Sequence, residues 1–424
     1  MGPKGPIVNT ELPNVLCFAA VAEGASSSSH NFWTDDLWWR VFLNNDPYVL
    51  SSTHSIDEKE IFIYPFTLGW RVNFQTYFYG KTGLLEFSHT PGHITHHVRM
   101  SKGYFLIDCT AEAWVQDNHI QSMHDYFSYY NHIPMGKIIY LTGCMNAQDI
   151  YDDWCARHGI VSSRDKMIMV SFPVSQHGIY TNSSSTIEPK YDTTSVPEKL
   201  FLCWNRRFRQ HRSALLIALD KLGLVDRSYY SMGLVDPEQI SMKFENHAGY
   251  FLNWRMGNQE DISEVVKKLP LRIDDETNIN RMCQDFDSAA RPFYSNSLVS
   301  LVTETNYDLS IVTLTEKSFK PSKEKHPFII IGAPFALKAM HEMGFRTFHE
   351  FWDEGYDEMK DHILRLKRIV EICDEISRWD ADKILDFKRR VKEIVDHNYN
   401  IVNSNTSAIV ADKIKTILQR NHPE

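Results

Sequence analysis

Apolar runs alternating with segments of helical period predict an α/β protein of two Rossmann-like domains facing across a cleft, with helices at the C-terminus. Three observations carry this reading. Short apolar runs each end in a polar or glycine turn, the pattern of parallel strands buried on both faces. A polar Ser/Thr-rich stretch at 181–198 interrupts the pattern, which restarts after it. Residues 359–420 then read as almost wholly helical, with Ile363, Leu366, Ile369, Val370 and Cys373 at helical spacing. At 424 residues the chain exceeds one comfortable core. The boundaries that follow are an N-terminal domain over 1–180, a linker over 181–198, a second domain over 199–358 and packing helices over 359–424.

Taken in order, residues 14–22 read as a first strand, followed by a Gly/Ser loop from Gly24 to Ser29. A helix carrying Phe32, Trp33, Leu37, Trp38 and Val41 comes next. Ile61–Tyr64, Gly103–Asp108, Lys137–Thr142 and Met167–Ser171 are further strands, with a helix over 147–158. In the second half Leu200–Trp204 is a strand, Asn205–Gln210 a polar loop and 211–223 a helix closed by Gly223. Ser297–Thr303 and Phe328–Ile331 complete the set.

Composition narrows the function classes. A net charge of -9 argues against a broad nucleic-acid footprint, though not against a local basic groove. The seven cysteines are scattered and lack CxxC spacing, which suits reduced thiols of a cytoplasmic protein. The apolar stretch Val15–Ala22 follows Glu11 and is too short for a membrane span. No GxGxxG follows a strand, and neither GxxxxGK[ST] nor GxSxG occurs, so dinucleotide, P-loop and hydrolase readings lose their usual support.

Two constellations point to an anionic ligand. Four arginines, Arg206, Arg207, Arg209 and Arg212, crowd the turn between a buried strand and a helix. Cations at a helix N-terminus oppose its dipole, so an anion there would offset the conflict. Downstream, Thr303-Glu304-Thr305 ends a strand, and Thr315-Glu316-Lys317 begins a helix just before Phe328–Ile331. A carboxylate can accept hydrogen bonds from a sugar diol, and a lysine can neutralise phosphate. Glu304, Thr315, Glu316 and Lys317 are therefore candidates for a nucleotide-sugar site.

Other clusters read more plainly. The segment Gly344–Asp357 is aromatic and acidic; its aromatics would pack the loop down, and Asp353, Glu354 and Asp357 would stabilise the next helix start. His89, His93, His96 and His97 lack a completing carboxylate or cysteine, and Pro91-Gly92 points to a loop there. Asp108, Glu112 and Asp117 follow a strand of the first domain, where a catalytic base for a sugar hydroxyl would sit.

The order strand, Arg-rich turn, helix, then strand-Glu304, then Thr315-Glu316-Lys317, helix and Pro327-Phe328-Ile329-Ile330-Ile331-Gly332 resembles the donor-binding half of GT-B glycosyltransferases. The nearest pattern is that of the fucosyltransferase-like and exostosin-like branches. The Phe345–Tyr356 segment also resembles uncharacterised phage and bacterial proteins, which would make a virus-encoded origin one option. The resemblance implies a GT-B-like enzyme that moves a sugar from a nucleoside-diphosphate sugar to an acceptor hydroxyl, with no cofactor; Asp380-Ala381-Asp382 falls inside a helical stretch and not at a strand end, which argues against an essential metal. It implies that Arg206 (or Arg207 or Arg209) and Lys317 hold the diphosphate, that Glu316 holds the ribose, and that Glu304 matches the preceding acidic motif. Asp108 or Glu112 would then serve as base. The acceptor stays open between a surface glycan and, less favoured, a modified DNA base. A non-catalytic nucleotide-sugar or glycan-binding protein is the reading from a different class.

Overall fold

The computed structural model describes residues 62–67, 92–109, 115–173, 188–205, 207–232, 252–273, 290–308, 310–404, 413–414 and 416–418. The chain divides into two compact units, Met1–Phe172 with Ser407–Glu424, and Pro173–Thr406. Each carries one four-stranded sheet in which every pairing is parallel. This is the α/β class expected. The expected strand at 14–22 and the helix after it lie outside the described residues.

The first unit builds its sheet from β1 (Phe62–Thr67), β2 (Gly103–Cys109), β3 (Ile138–Thr142) and β4 (Ile168–Ser171), paired in chain order. Every residue of β3 is buried, as the run Ile-Ile-Tyr-Leu-Thr requires of an inner strand covered on both faces. Helices α1 (Gly92–Met100), α2 (Asp117–His124) and α3 (Ala147–Arg157) lie between the strands. The histidines His93, His96 and His97 thus sit in α1 and not in a loop, because Pro91 immediately precedes the helix, where a missing N–H costs nothing.

The second unit orders its strands β6-β5-β7-β8, from β5 (Lys199–Trp204), β6 (Ser228–Ser231), β7 (Ser297–Thr303) and β8 (Phe328–Ile331). The order runs outward in both directions from β5, so the chain switches sides between β5 and β7. In open parallel sheets ligands bind outside the strand carboxyl ends at this switch point. Helix α4 (Gln210–Lys221) follows β5 and buries nine consecutive residues, His211–Leu219. Such burial explains why α4 shows no polar stripe. Helices α5 (Gln259–Lys268) and α6 (Arg291–Ser295) precede β7, and α7 (Glu316–Lys323) precedes β8. After β8 come α8 (Ala336–Glu342), α9 (His362–Ser377) and α10 (Ala381–Val402).

The expected helical stretch over 359–420 is thus broken between Ser377 and Ala381, where Asp361 and Asp380 cap α9 and α10. The acidic residues of 344–357 act elsewhere than expected. Asp357 accepts from the Leu337 and Lys338 N–H groups at 2.9 and 3.1 Å and so caps α8. Glu354 accepts from Thr347 Oγ1 and Phe348 N, while Phe345, Phe348, Trp352 and Tyr356 are buried beneath. Within the polar stretch before β5, Glu188 pairs with Lys325, and the Ser195 carbonyl accepts from Lys388 Nζ at 2.7 Å. Among the described residues no helix is long and apolar enough to cross a membrane, and the five described cysteines are buried and form no disulfide with one another.

Candidate functional site

The two sequence constellations meet at the switch point. Trp204 ends β5 and Thr303 ends β7, and the turns leaving these strands lie side by side. Thr303 Oγ1 donates to Asn205 Oδ1 at 2.5 Å, tying the two turns together across the reversal. Asn205 is fully buried, and its N–H donates to Ser231 Oγ of β6 at 3.1 Å. A short polar-aromatic strand, Ser-Tyr-Tyr-Ser, was not anticipated from sequence, yet it creates the reversal and anchors Asn205.

The four arginines separate into different roles. Arg206 lies outside the described residues. Arg207 and Arg209 are exposed, and Arg209 is the N-cap of α4 with no side-chain cap. The first N–H groups of α4 therefore lack a side-chain acceptor beside two exposed guanidinium groups, an arrangement that favours an anion. Arg212 departs from the expected phosphate contact. It is 5 % exposed and donates to the carbonyls of Thr303 at 3.0 Å and Arg207 at 3.3 Å, so it braces the turns from below. Burial, then the charge of Arg209, lowers its pKa against the favourable pull of Glu304.

Glu304 also differs from the expected ligand contact. It is fully buried, and its carboxylate accepts from Thr315 N at 2.8 Å, Thr315 Oγ1 at 2.7 Å, Ser318 Oγ at 2.6 Å and Thr305 N at 3.2 Å. The chain loops back after β7 and seats the start of α7 on this carboxylate. Glu304 thus fixes the Thr315-Glu316-Lys317 turn. Thr315 is the N-cap of α7, as its residue type and position suggest.

Beyond the cap, Lys317 Nζ lies 2.9 Å from Glu316 Oε1 and 3.0 Å from Thr315 Oγ1. Their side chains are 23% and 17% exposed, so both reach solvent from a half-enclosed position. Burial raises the Glu316 pKa, but Lys317 and Lys320 outweigh it and the net shift is downward. An ionised acceptor beside a cation is the chemistry expected of a diol and phosphate subsite.

Below the turns, His211 Nε2 donates to the Glu304 carbonyl at 3.0 Å, and its ring stacks on Tyr307 at 4.8 Å. Burial, then Arg212, holds the His211 pKa well below its usual value, so the ring is neutral. Arg365 of α9 lies over the Tyr307 ring at 4.5 Å and donates to the Tyr307 and Met359 carbonyls. The sequence reading missed Asn205, His211, Tyr307 and Arg365. The spacing of Thr315 and Ser318 could have flagged Ser318 as a cap partner; nothing local marks Arg365, far along the chain.

In the first unit, Asp108 pairs with Thr67 of β1 and Leu141 of β3 one residue before the carboxyl end of β2. Glu112 lies outside the described residues. Asp117 sits in the first turn of α2 and receives both Arg157 terminal nitrogens at 2.7 and 2.9 Å, which lowers its pKa and holds it in an ion pair. It is a structural acid, poorly placed to take a proton. Among the described residues no group of three or more His, Cys, Asp or Glu could hold a metal ion.

No family model matches the chain, and no curated protein matches its sequence. Among solved structures the chain is similar to the N-terminal domain of trehalose-6-phosphate phosphatase from Candida albicans, with TM-score 0.40 and 11% identity over 84% of this chain and 70% of that one. It is also similar to α,α-trehalose-6-phosphate synthase from Burkholderia multivorans, with TM-score 0.41 and 8% identity over 86% and 71% of the two chains. A further trehalose-6-phosphate synthase gives 0.39 and 12% over 86% and 73%.

Proposed function

We propose that the chain is a glycosyltransferase whose second unit binds a nucleoside-diphosphate sugar at the β5/β7 switch point. The observation that carries this is the linkage of the Arg-rich turn to the end of β7 by the Thr303–Asn205 bond, and of the Thr315-Glu316-Lys317 turn to the same strand end by the Glu304 carboxylate. Arg207, Arg209 and the uncapped N–H groups of α4 would face the diphosphate. Lys317 would exchange Glu316 for a phosphate oxygen, freeing Glu316 to accept from the ribose diol. Glu304 and Arg212 would hold these groups in place without touching the ligand. As the glycosidic bond to the diphosphate breaks, negative charge grows on the leaving oxygen, and fixed cations stabilise it more in the transition state than in the ground state. In the first unit Asp108, or Glu112, would take the proton of the acceptor hydroxyl, and the net charge of -9 favours a glycan over DNA as that acceptor.

The direct test is thermal denaturation of the full chain with nucleoside diphosphates and their sugars. A rise with one nucleotide that Lys317→Ala abolishes supports the reading. No rise with any of them overturns it.

A further inference from the structure

The first unit carries an open surface groove of about 740 Å³, within the size range of small-ligand sites. It lies between the C-terminal ends of α2 and α3 and includes Gln121, His124, Asp125, Tyr129, Trp154 and His158. Both helices follow parallel strands, so each starts near the carboxyl edge of the sheet and finishes at the amino edge. The groove is therefore at the opposite end of the sheet from Asp108.

Its wall presents hydrogen-bonding groups that the fold leaves unused. Trp154 is 2% exposed, and its indole N–H has no partner among the described residues. The ring is fixed by His158, stacked at 4.1 Å, and by His124 at 4.6 Å. Tyr151 Oη accepts the Met167 N–H at 2.8 Å and lies 2.9 Å from His124 Nε2. We assign the Tyr151 proton to that bond, which places the His124 proton on Nδ1 as a second unpaired donor. Burial lowers the His124 pKa to about 4, so the ring is neutral. His158 Nδ1 donates to the Trp154 carbonyl at 2.8 Å, which fixes the ring orientation. Gln121 donates to Asp125 at 2.8 Å, and Tyr129 stands 72% exposed at the rim.

The backbone here is unusual in two ways. Helix α2 runs on into a π turn over Asp125–Tyr130, and His132 adopts φ 52. Both features concentrate at functional sites, where they re-aim side chains.

The lining has no lysine or arginine and includes the Asp125 carboxyl group, so anionic ligands are disfavoured. The lining combines polar side chains with the aromatic rings of Tyr129 and Trp154, and Ile160 adds an apolar side chain. Hydroxyl groups above an apolar ring face are the surface that such a wall fits. We infer that this groove binds a neutral saccharide, separately from the nucleotide site of the other unit.

The test is saturation-transfer NMR on the full chain with maltose, cellobiose and N-acetylglucosamine as probes at millimolar concentration. At least one probe should receive saturation, and Tyr129→Ala or Gln121→Ala, both at exposed positions, should weaken its binding about fivefold. Trp154→Phe should do the same where circular dichroism shows it folded. Added nucleoside diphosphate should not displace the saccharide. No saturation for any probe, undiminished binding in the Tyr129→Ala/Gln121→Ala double variant, or displacement by nucleotide would each overturn the inference. A chain that binds no nucleotide but still binds saccharide here sinks the donor-site reading alone.

Discussion

Removing the Glu304 carboxylate should cost the second unit more stability than any exposed change at the same sheet edge. Glu304 accepts four hydrogen bonds from the turn it supports, two from hydroxyls and two from N–H groups. In Glu304→Ala the Thr315 and Ser318 hydroxyls can rotate towards other acceptors, but the Thr315 and Thr305 N–H groups cannot. Two orphaned buried donors at about 1–3 kcal/mol each, plus the lost charge-assisted bonds, give a loss of about 4 kcal/mol. Glu304→Gln keeps one acceptor oxygen. With that oxygen at the Oε1 position, the Thr315 N–H stays satisfied, the Thr315 hydroxyl can turn to accept, and only Thr305 N is left facing an amide NH2. The loss then falls to about 1–2 kcal/mol. Urea unfolding of the wild type and both variants reads these values as shifts in midpoint at constant slope. Both losses below about 0.5 kcal/mol, the usual scale of surface substitutions, would refute the assignment of Glu304 as a brace. Equal losses for the two variants would refute the hydrogen-bond ordering worked out above.

The remaining predictions separate braces from ligand contacts. Arg207→Ala/Arg209→Ala should leave stability within about 0.5 kcal/mol but weaken nucleoside-diphosphate binding at least about tenfold, measured by calorimetry. Arg212→Met should do the reverse, losing about 2–4 kcal/mol in urea unfolding because the Thr303 and Arg207 carbonyls lose their donor. Acid should destabilise the fold through His326, which is buried against Ser297 and Ser300 and whose pKa burial lowers to about 4. The unfolded chain binds this proton near pH 6.5 while the folded chain does not. Stability is therefore full above that value and falls on acidification, by about 2 kcal/mol between pH 7 and pH 5 from this group. His326→Gln should flatten the unfolding-versus-pH curve over that window; an unchanged slope would contradict the assignment.

Much of this architecture could be read from the chain because parallel strands buried on both faces leave unmistakable apolar runs. Ser297–Thr303 and Phe328–Ile331 appear in the structure with the expected bounds, and Gly223 closes the turn after α4 at φ 68. The strand Ser228–Ser231 escaped notice because an edge strand half made of serine carries no apolar run. The candidate site residues stand out in the sequence by type, but only burial separates those that reach solvent from those that do not. Arg207 and Arg212 look alike in sequence, but five residues along a helix start carry one into solvent and the other beneath two carbonyls. Glu304 likewise reads as a strand-end acid until the return of α7 covers it. No local signal anticipated the stacking of His211 on Tyr307 under Arg365, since those contacts are made by segments far apart in the chain.

The central claim is that the β5/β7 switch point holds a nucleoside diphosphate, and titration calorimetry of the full chain with a panel of nucleoside diphosphates tests it most directly. One nucleotide should bind to the wild type, with affinity lost at least about tenfold in Lys317→Ala and in Arg207→Ala/Arg209→Ala while both variants unfold at the wild-type urea midpoint. No heat with any nucleotide, or full affinity in both variants, would contradict it.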